Sequence, residues 1–364
     1  MAEHVIYMKK ILPLILSAVL AVSCDGNYAR LGKEEIVKGF PKTFTLSGSE
    51  VREVEVPAIV DIKHYGDRLY CMTMRPDGLI TVLDDSSLEP CSGPFLRLGN
   101  GPLETLTPIP FSNMYFHEEE DGLMADFFNM GNSLIRLNLS RSEAEGAVVG
   151  QSLGEIPGEL MGRGPVSLLG EGFFFFQSPE EQKSVRRGVW QDGGIRYAHA
   201  QERLNAFSLQ DPDGFMFNLF FTSVAYDYER RRFVEASSMQ NSIHLYDLDG
   251  PFSKTLSIGG PVKDYLVMAQ RGMDGASMYS QSVRSFPDFF VVLYCDRPLS
   301  RPSGLNPSLL FFDWDGSPLL EITLPFPVTA FDLDLSTGTL YCADQGSDNV
   351  SVVGIEAFLK DWKG

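Results

Sequence analysis

Histidine and paired cysteine are the first things missing. The 364 residues hold 5 His and 5 Cys, with no Cys-x-x-Cys pair, which removes the ligand spacing of a zinc ribbon. The HExxH, GxSxG and P-loop patterns are absent, so the chain carries no motif for zincin, serine-hydrolase or nucleotide chemistry. Gly99-x-Gly101 lacks the third glycine and the helix that a dinucleotide turn requires. Basic charge is short: 30 Lys and Arg face 48 Asp and Glu, a net charge of −18. A nucleic-acid binder needs a basic footprint, so that class is set aside. After residue 24 no apolar run reaches the roughly 18 residues of a membrane helix. Helical periodicity is nearly absent.

What the N-terminus does contain points to export. Lys9 and Lys10 precede an apolar run, Ile11 to Val22, broken only by Pro13 and Ser17. Such a run is short for a membrane span and suits a signal peptide. Ala21-Val22-Ser23-Cys24 resembles a bacterial lipobox with alanine where leucine is usual, so residues 1–23 are read as a lipoprotein signal and Cys24 as the lipidated residue. A cut elsewhere would release the chain, and no cut would leave it anchored. Removing residues 1–23 leaves about −19 on the remainder.

The rest reads as many short strands punctuated by Gly, Pro, Asp and Asn. One word recurs as Leu69-Tyr70-Cys71, Leu293-Tyr294-Cys295 and Leu340-Tyr341-Cys342. Gly122 to Ala125 and Phe173 to Phe176 echo the same strand. Asp247-Leu248-Asp249-Gly250 and Asp313-Trp314-Asp315-Gly316 mark hairpin turns, where glycine supplies positive φ. Gly99-Asn100-Gly101-Pro102, Gly162-Arg163-Gly164-Pro165 and Gly259-Gly260-Pro261 close strands. These words define six four-stranded units at about 58–100, 113–160, 166–210, 221–260, 283–326 and 328–358. Units of this size are propeller blades. The expected fold is an all-β six-bladed β-propeller of antiparallel blades, one domain over 43–364. Thr43 to Val56 supplies the last blade's missing outer strand and removes exposed edges, and residues 24–42 form a tether. Seven blades are the alternative, if 262–282 hides strands.

With the end at Cys24, the stretch Gly99-Asn100-Gly101-Pro102-Leu103-Glu104 and the blade words, the chain resembles the TolB-like six-bladed β-propeller lipoproteins of Bacteroidetes-type bacteria. The resemblance implies an exported propeller and says little about activity.

Several residues invite a chemical reading. His117 before Glu118, Glu119, Glu120 and Asp121 sits in a polar turn between strands Met114–Phe116 and Leu123–Ala125. The recurring cysteines occupy separate blades and act as small buried side chains; Cys71 and Cys91 share a blade, so a disulfide there stays open. Asp344 to Asn349, with Asp344 and Asp348 as carboxylates, offers oxygens for calcium or simply builds a turn. Asp332-x-Asp334 reads as hairpin structure. Loops joining second to third strands, and those between blades, ring one mouth of a propeller, and rigid scaffolds carry function on such loops. They place Met74, Arg75, Phe128, Asn129, Ser178, Glu180, Ser237, Met239, Asp296, Arg297, Asp344 and Gln345 at that mouth, with Asn100, Glu104, Arg163 and Arg271 between blades.

This mixture of charges and aromatics suits a polar ligand or peptide. The expected function is therefore a non-catalytic envelope lipoprotein: a monomer held to the outer membrane by lipid alone, on its periplasmic or surface side. It presents the ring to a protein, peptide or glycan. The rival is a propeller lyase or hydrolase with a channel metal. Such an enzyme should repeat His at one blade position, and the four His after the leader do not recur that way. Fold alone does not decide between them.

Overall fold

The computed structural model describes residues 30–47, 51–129, 133–160, 166–180, 184–197, 208–210, 216–218, 221–263, 276–299 and 306–363. Six four-stranded antiparallel blades are formed. Their first strands are Ile59–Tyr65, Tyr115–Glu119, Val166–Gly170, Thr222–Asp227, Ser277–Ser285 and Ala330–Asp334, for blades 1 to 6 in order. Their second strands are Arg68–Thr73, Gly122–Phe128, Phe173–Glu180, Arg232–Ser237, Phe289–Pro298 and Thr339–Asp344. In the stretch 262–282, on which the seven-bladed alternative turned, residues from Ser277 belong to the long first strand of blade 5, which starts there rather than near 283, and 264–275 lie outside the described residues.

The side-chain period of a strand is two, and both faces of a blade are covered by neighbours, so second strands are apolar without a break. In blade 5, Phe289, Val291 and Leu293 pack toward blade 6, while Phe290 and Val292 pack toward blade 4. Each of the six junctions between adjacent blades holds such a cluster, including blade 6 against blade 1, so the ring is closed.

The same parity corrects one repeat. Leu69 and Cys71 face blade 6, and Leu340 and Cys342 face blade 5, in each case the preceding blade. In blade 5 the Leu-Tyr-Cys word lies three residues further along its strand, and the odd offset turns Leu293 toward the following blade. The word is genuinely equivalent only in blades 1 and 6. Cys71, Cys91, Cys295 and Cys342 are all free thiols. Cys71 lies inside the blade 1–blade 6 junction and Cys91 on an exposed outer strand, so no disulfide joins them. The Asp-Gly turns do join third to fourth strands, but only Gly316 uses positive φ, at 83°.

The N-terminal segment does more than close the ring. Lys33–Val37, expected within a tether, is a strand that pairs in parallel with the outer strand of blade 4. Thr43–Thr45 pairs in parallel with the outer strand of blade 5. Only Arg52–Glu55 completes blade 6, antiparallel to Asn349–Gly354. The chain thus straps three consecutive blades. Its anchoring side chains are apolar and spaced one per junction: Leu31, Val37, Leu46 and Val56 are buried in the blade 3–4, 4–5, 5–6 and 6–1 clusters in turn.

Two helices escaped the sequence reading. Leu139–Glu145 is opened by the Asn138 side chain, which accepts from the Arg141 N–H, and closed by Gly146 at φ 62°. It covers the outer strand of blade 1, where the Ser92 hydroxyl donates to the Glu143 carbonyl at 2.8 Å. Glu356–Lys363 follows blade 6. Among the described residues no helix is long and apolar enough to cross a membrane.

A chain beginning at Ser47 should lose on the order of 5 kcal/mol of stability, because burial of Leu31, Val37 and Leu46 contributes about 1.5–3 kcal/mol each. It should also self-associate through the bared edges of blades 4 and 5. Urea unfolding and light scattering measure both.

Candidate functional site

The first strands and the segments leading into them line a central channel, and every blade contributes to two cavities stacked along it. The upper one, about 260 Å³, lies at the start of the strands. Its wall mixes neutral polar residues, among them Ser112, Asn113, Ser167, Thr222, Gln281 and Thr329, with apolar ones such as Val60, Phe175 and Phe221. The lower one, about 220 Å³, lies toward the strand ends and is lined by Lys63, Tyr115, Leu169, Tyr226, Arg284 and Asp332, one from each blade, together with Tyr228.

A buried ion pair lies between the two. Asp61 lines the upper cavity and Arg284 the lower, and they meet at 2.7 Å. Arg284 comes from blade 5 and also donates to the Phe331 carbonyl of blade 6 at 3.1 Å. The other Asp61 oxygen accepts the Phe111 N–H that leads into blade 2, at 2.8 Å. Four blades are therefore tied at one point. Below it, Lys63 Nζ reaches Asp332 at 3.0 Å, and the same carboxylate oxygen accepts the His64 N–H at 2.8 Å.

These channel charges were not singled out in the sequence. Asp332 was read as hairpin structure, but only Asp334 serves that role, accepting from Ser336 and Thr337. The signal was present as Asp61-x-Lys63 and Ser282-x-Arg284, charged or polar residues two apart on the first strands of blades 1 and 5.

The predicted ring is scattered. None of its described residues lines either channel cavity. Met74 is exposed and Arg75 half-buried, forked onto Asp77 at 3.0 and 2.6 Å. Asn100 is exposed. Glu104 accepts from the Gly101 N–H at 2.7 Å, and its carbonyl accepts from Asn129 Nδ2 at 3.2 Å, so those two sites meet. Glu104 also lines a rim cavity of about 480 Å³ with Arg97, Leu103 and Val148. Phe128 packs into the junction with blade 3. Ser237 ends the blade 4 second strand and Met239 lies in the turn after it, both buried.

Asp296 is exposed at φ 34° and Arg297 lies opposite Met278, both within an extended second strand rather than a loop. Asp344 accepts from the Gly346 N–H and the Ser347 hydroxyl, while Gln345 donates its N–H to Thr329. Asp348 accepts the Ala58 N–H at 2.9 Å, joining blade 6 to blade 1. Asp344 and Asp348 thus stabilise turns, and among the described residues no group of three His, Cys, Asp or Glu could hold a metal ion. Ser178 and Glu180 lie on the blade 3 second strand. Cys24, Arg163 and Arg271 fall outside the described residues.

His117 is also corrected. It belongs to the strand Tyr115–Glu119, opposite Met124, and not to a turn. Its Nε2 is 3.4 Å from Asp126, whose two oxygens are held by Arg136 at 2.8 Å each.

A second buried charge cluster joins blades 3 and 4. Arg187 Nε meets Glu235 Oε1 at 2.5 Å, and the Tyr246 hydroxyl donates to the same oxygen. Burial pushes the Glu235 carboxyl up, but the Arg187 charge and the hydrogen bonds from Arg187 and Tyr246 outweigh it and hold the group below its ordinary value. Nearby, Thr255 Oγ1 donates to the Leu31 carbonyl and accepts the Leu31 N–H. Its one proton is used, so the contact with His244 Nδ1 at 3.0 Å places the imidazole hydrogen on Nδ1. Burial first, and the Arg187 charge second, depress His244 to about 3, with Glu235 partly opposing.

No family model and no curated protein sequence matches the chain. Among solved structures, a member of the DUF4221 family from Bacteroides vulgatus superposes with a TM-score of 0.50 at 10% identity, covering 85% of this chain and 98% of that one. A luciferin-regenerating enzyme gives 0.44 at 9% identity, over 84% and 94%. Regucalcin from Agrobacterium tumefaciens, a calcium-binding protein, gives 0.45 at 9% identity, over 86% and 95%. At these identities the first likeness supports the propeller fold and nothing finer.

Proposed function

We propose that the protein is a TolB-like lipoprotein of the bacterial outer membrane, and that it binds a partner protein segment on the face formed by the second-to-third-strand loops and the blade connections. The observation that carries the reading is where apolar surface is left bare. Eight large apolar side chains are exposed among the described residues, and four of them, Met74, Leu98, Leu106 and Phe221, lie on this one face. Exposed apolar residues grouped among polar ones mark an interaction surface. Arg75 and Arg97 stand among them, and Phe221 sits at the channel mouth. The channel charges themselves are engaged in holding blades together, which supports recognition by the outer face.

The anchor follows from Cys24. Leu31 is already fixed to blade 4, so the tether is seven residues long and reaches at most about 25 Å when extended. The propeller therefore stands close to the membrane with blade 4 nearest.

Two measurements test the reading together. Intact-mass analysis of the membrane fraction should find Cys24 acylated, and Cys24→Ser should move the protein to the soluble fraction. Cross-linking in intact envelopes should yield a partner whose capture falls at least tenfold in a Met74→Asp, Phe221→Asp double variant and is unchanged in Leu153→Asp, which lies on an outer strand. An unacylated soluble chain, or equal capture by both variants, overturns it.

A further inference from the structure

The lower channel cavity has two unlike walls. Blades 5, 6 and 1 supply Arg284, Asp332 and Lys63, while blades 2 and 4 supply Tyr115, Tyr226 and Tyr228. The rings adjoin at angles: Tyr226 and Tyr228 lie edge to face at 5.0 Å, Tyr228 is tilted against Tyr115 at 6.3 Å, and Tyr228 is the most exposed of the three. Tyr228 is 54% exposed at the mouth. None of the three hydroxyls is bonded to a described residue. Opposite them, Lys63 Nζ makes one ion pair, with Asp332 at 3.0 Å. An ammonium carries three donors, so two remain for a ligand.

This cavity opens at the mouth opposite the loop face proposed above. We infer that it is a binding site for a single neutral pyranose ring, such as the terminal residue of a glycan. Size, charge and wall chemistry each narrow the choice. A volume of about 220 Å³ is below the roughly 300–1,000 Å³ that takes drug-sized ligands, so one ring fits. The cations Lys63 and Arg284 are matched by Asp332 and Asp61, and the site holds no surplus charge to attract an anion or cation. A wholly apolar ligand would leave three tyrosine hydroxyls and the lysine donors without partners, which costs binding energy. A pyranose satisfies both walls: its C–H face lies on the exposed Tyr228 ring, and its hydroxyls meet Lys63, Asp332 and the tyrosine hydroxyls. Burial raises the Tyr226 and Tyr228 hydroxyls above their ordinary value, so both remain protonated donors at neutral pH.

The test is saturation-transfer NMR on the purified full chain. The probes are methyl α-glucoside, methyl α-mannoside, methyl β-galactoside and N-acetylglucosamine, with p-cresol as aromatic control. At least one sugar should give saturable transfer, strongest at its ring C–H protons. Tyr228→Ala should weaken that sugar about tenfold, the scale of one lost aromatic contact, while leaving the melting temperature unchanged. Lys63→Met should weaken it with the fold intact. The Met74→Asp, Phe221→Asp variant should bind sugar normally, which separates this site from the loop face. Saturable binding of p-cresol alone, no saturable binding by any sugar, or unaltered binding by Tyr228→Ala overturns the inference.

Discussion

Replacing Arg284 with methionine is expected to lower the unfolding free energy by about 3–5 kcal/mol, the range for breaking a buried pair from one side. Arg284 and Asp61 are both nearly fully buried. The substitution leaves the buried Asp61 carboxylate with only the Phe111 and Ile62 N–H groups. It also frees the Phe331 carbonyl that Arg284 held. Pairing Arg284→Met with Asp61→Asn removes the stranded charge and should recover more than half of the loss. Urea unfolding of the wild type, both single variants and the double variant forms the cycle that isolates the coupling. An additive double variant would mean the two side chains act independently, and the view of this pair as the tie between blades 1, 2, 5 and 6 would fail.

The fold was largely legible because propeller physics writes itself into composition. A strand buried on both faces must be apolar throughout, and Phe173 to Phe176 and Phe289 to Leu293 say so directly. What was not legible was phase. Leu293-Tyr294-Cys295 copies the spelling of two other strands, yet it sits an odd number of residues further along its own and faces the other neighbour. Spelling carries no register; only the strand's start does. Parallel strap strands were hidden for a similar reason. Lys33–Val37 reads as a charged tether because its edge position leaves most side chains in water, and only Val37 is buried in it. The site was less legible than the fold. Sequence reasoning looked to loops, where Asp344, Asn129 and Glu104 turned out to be holding turns. The channel lies on first strands, where polar and charged residues such as Asp61, Gln281 and Arg284 face the lumen. Exposed Met74 and Phe221 could have been separated from buried Met239 only by tertiary structure.

His244 sets the pH response. Its folded pKa of about 3 lies below the ordinary 6.5, so between those values the unfolded chain binds a proton that the folded chain refuses. Stability is therefore complete above about pH 6.5 and falls as the pH drops, approaching about 1.4 kcal/mol per unit for one proton. The groups facing the imidazole are Arg187 from blade 3, Glu235 and Thr255 from blade 4, and Leu31 from the strap. Protonation would put a second cation beside Arg187 in a site already dry. Glu235 is depressed below 4.5, so its own contribution is lost only at lower pH, and the window from 6 to 5 reports His244 within this cluster. His244→Gln keeps a donor for Thr255 and removes the titration. Urea unfolding at pH 7.5, 6.5, 5.5 and 5.0 should show the wild type losing stability by nearly one proton's slope across the lower half. The variant should be flatter by that proton. Equal slopes would place the acid sensitivity elsewhere. Because Thr255 holds both Leu31 backbone groups, the hydrogen-exchange protection factor of the Leu31 amide should fall in the same window in the wild type and not in the variant.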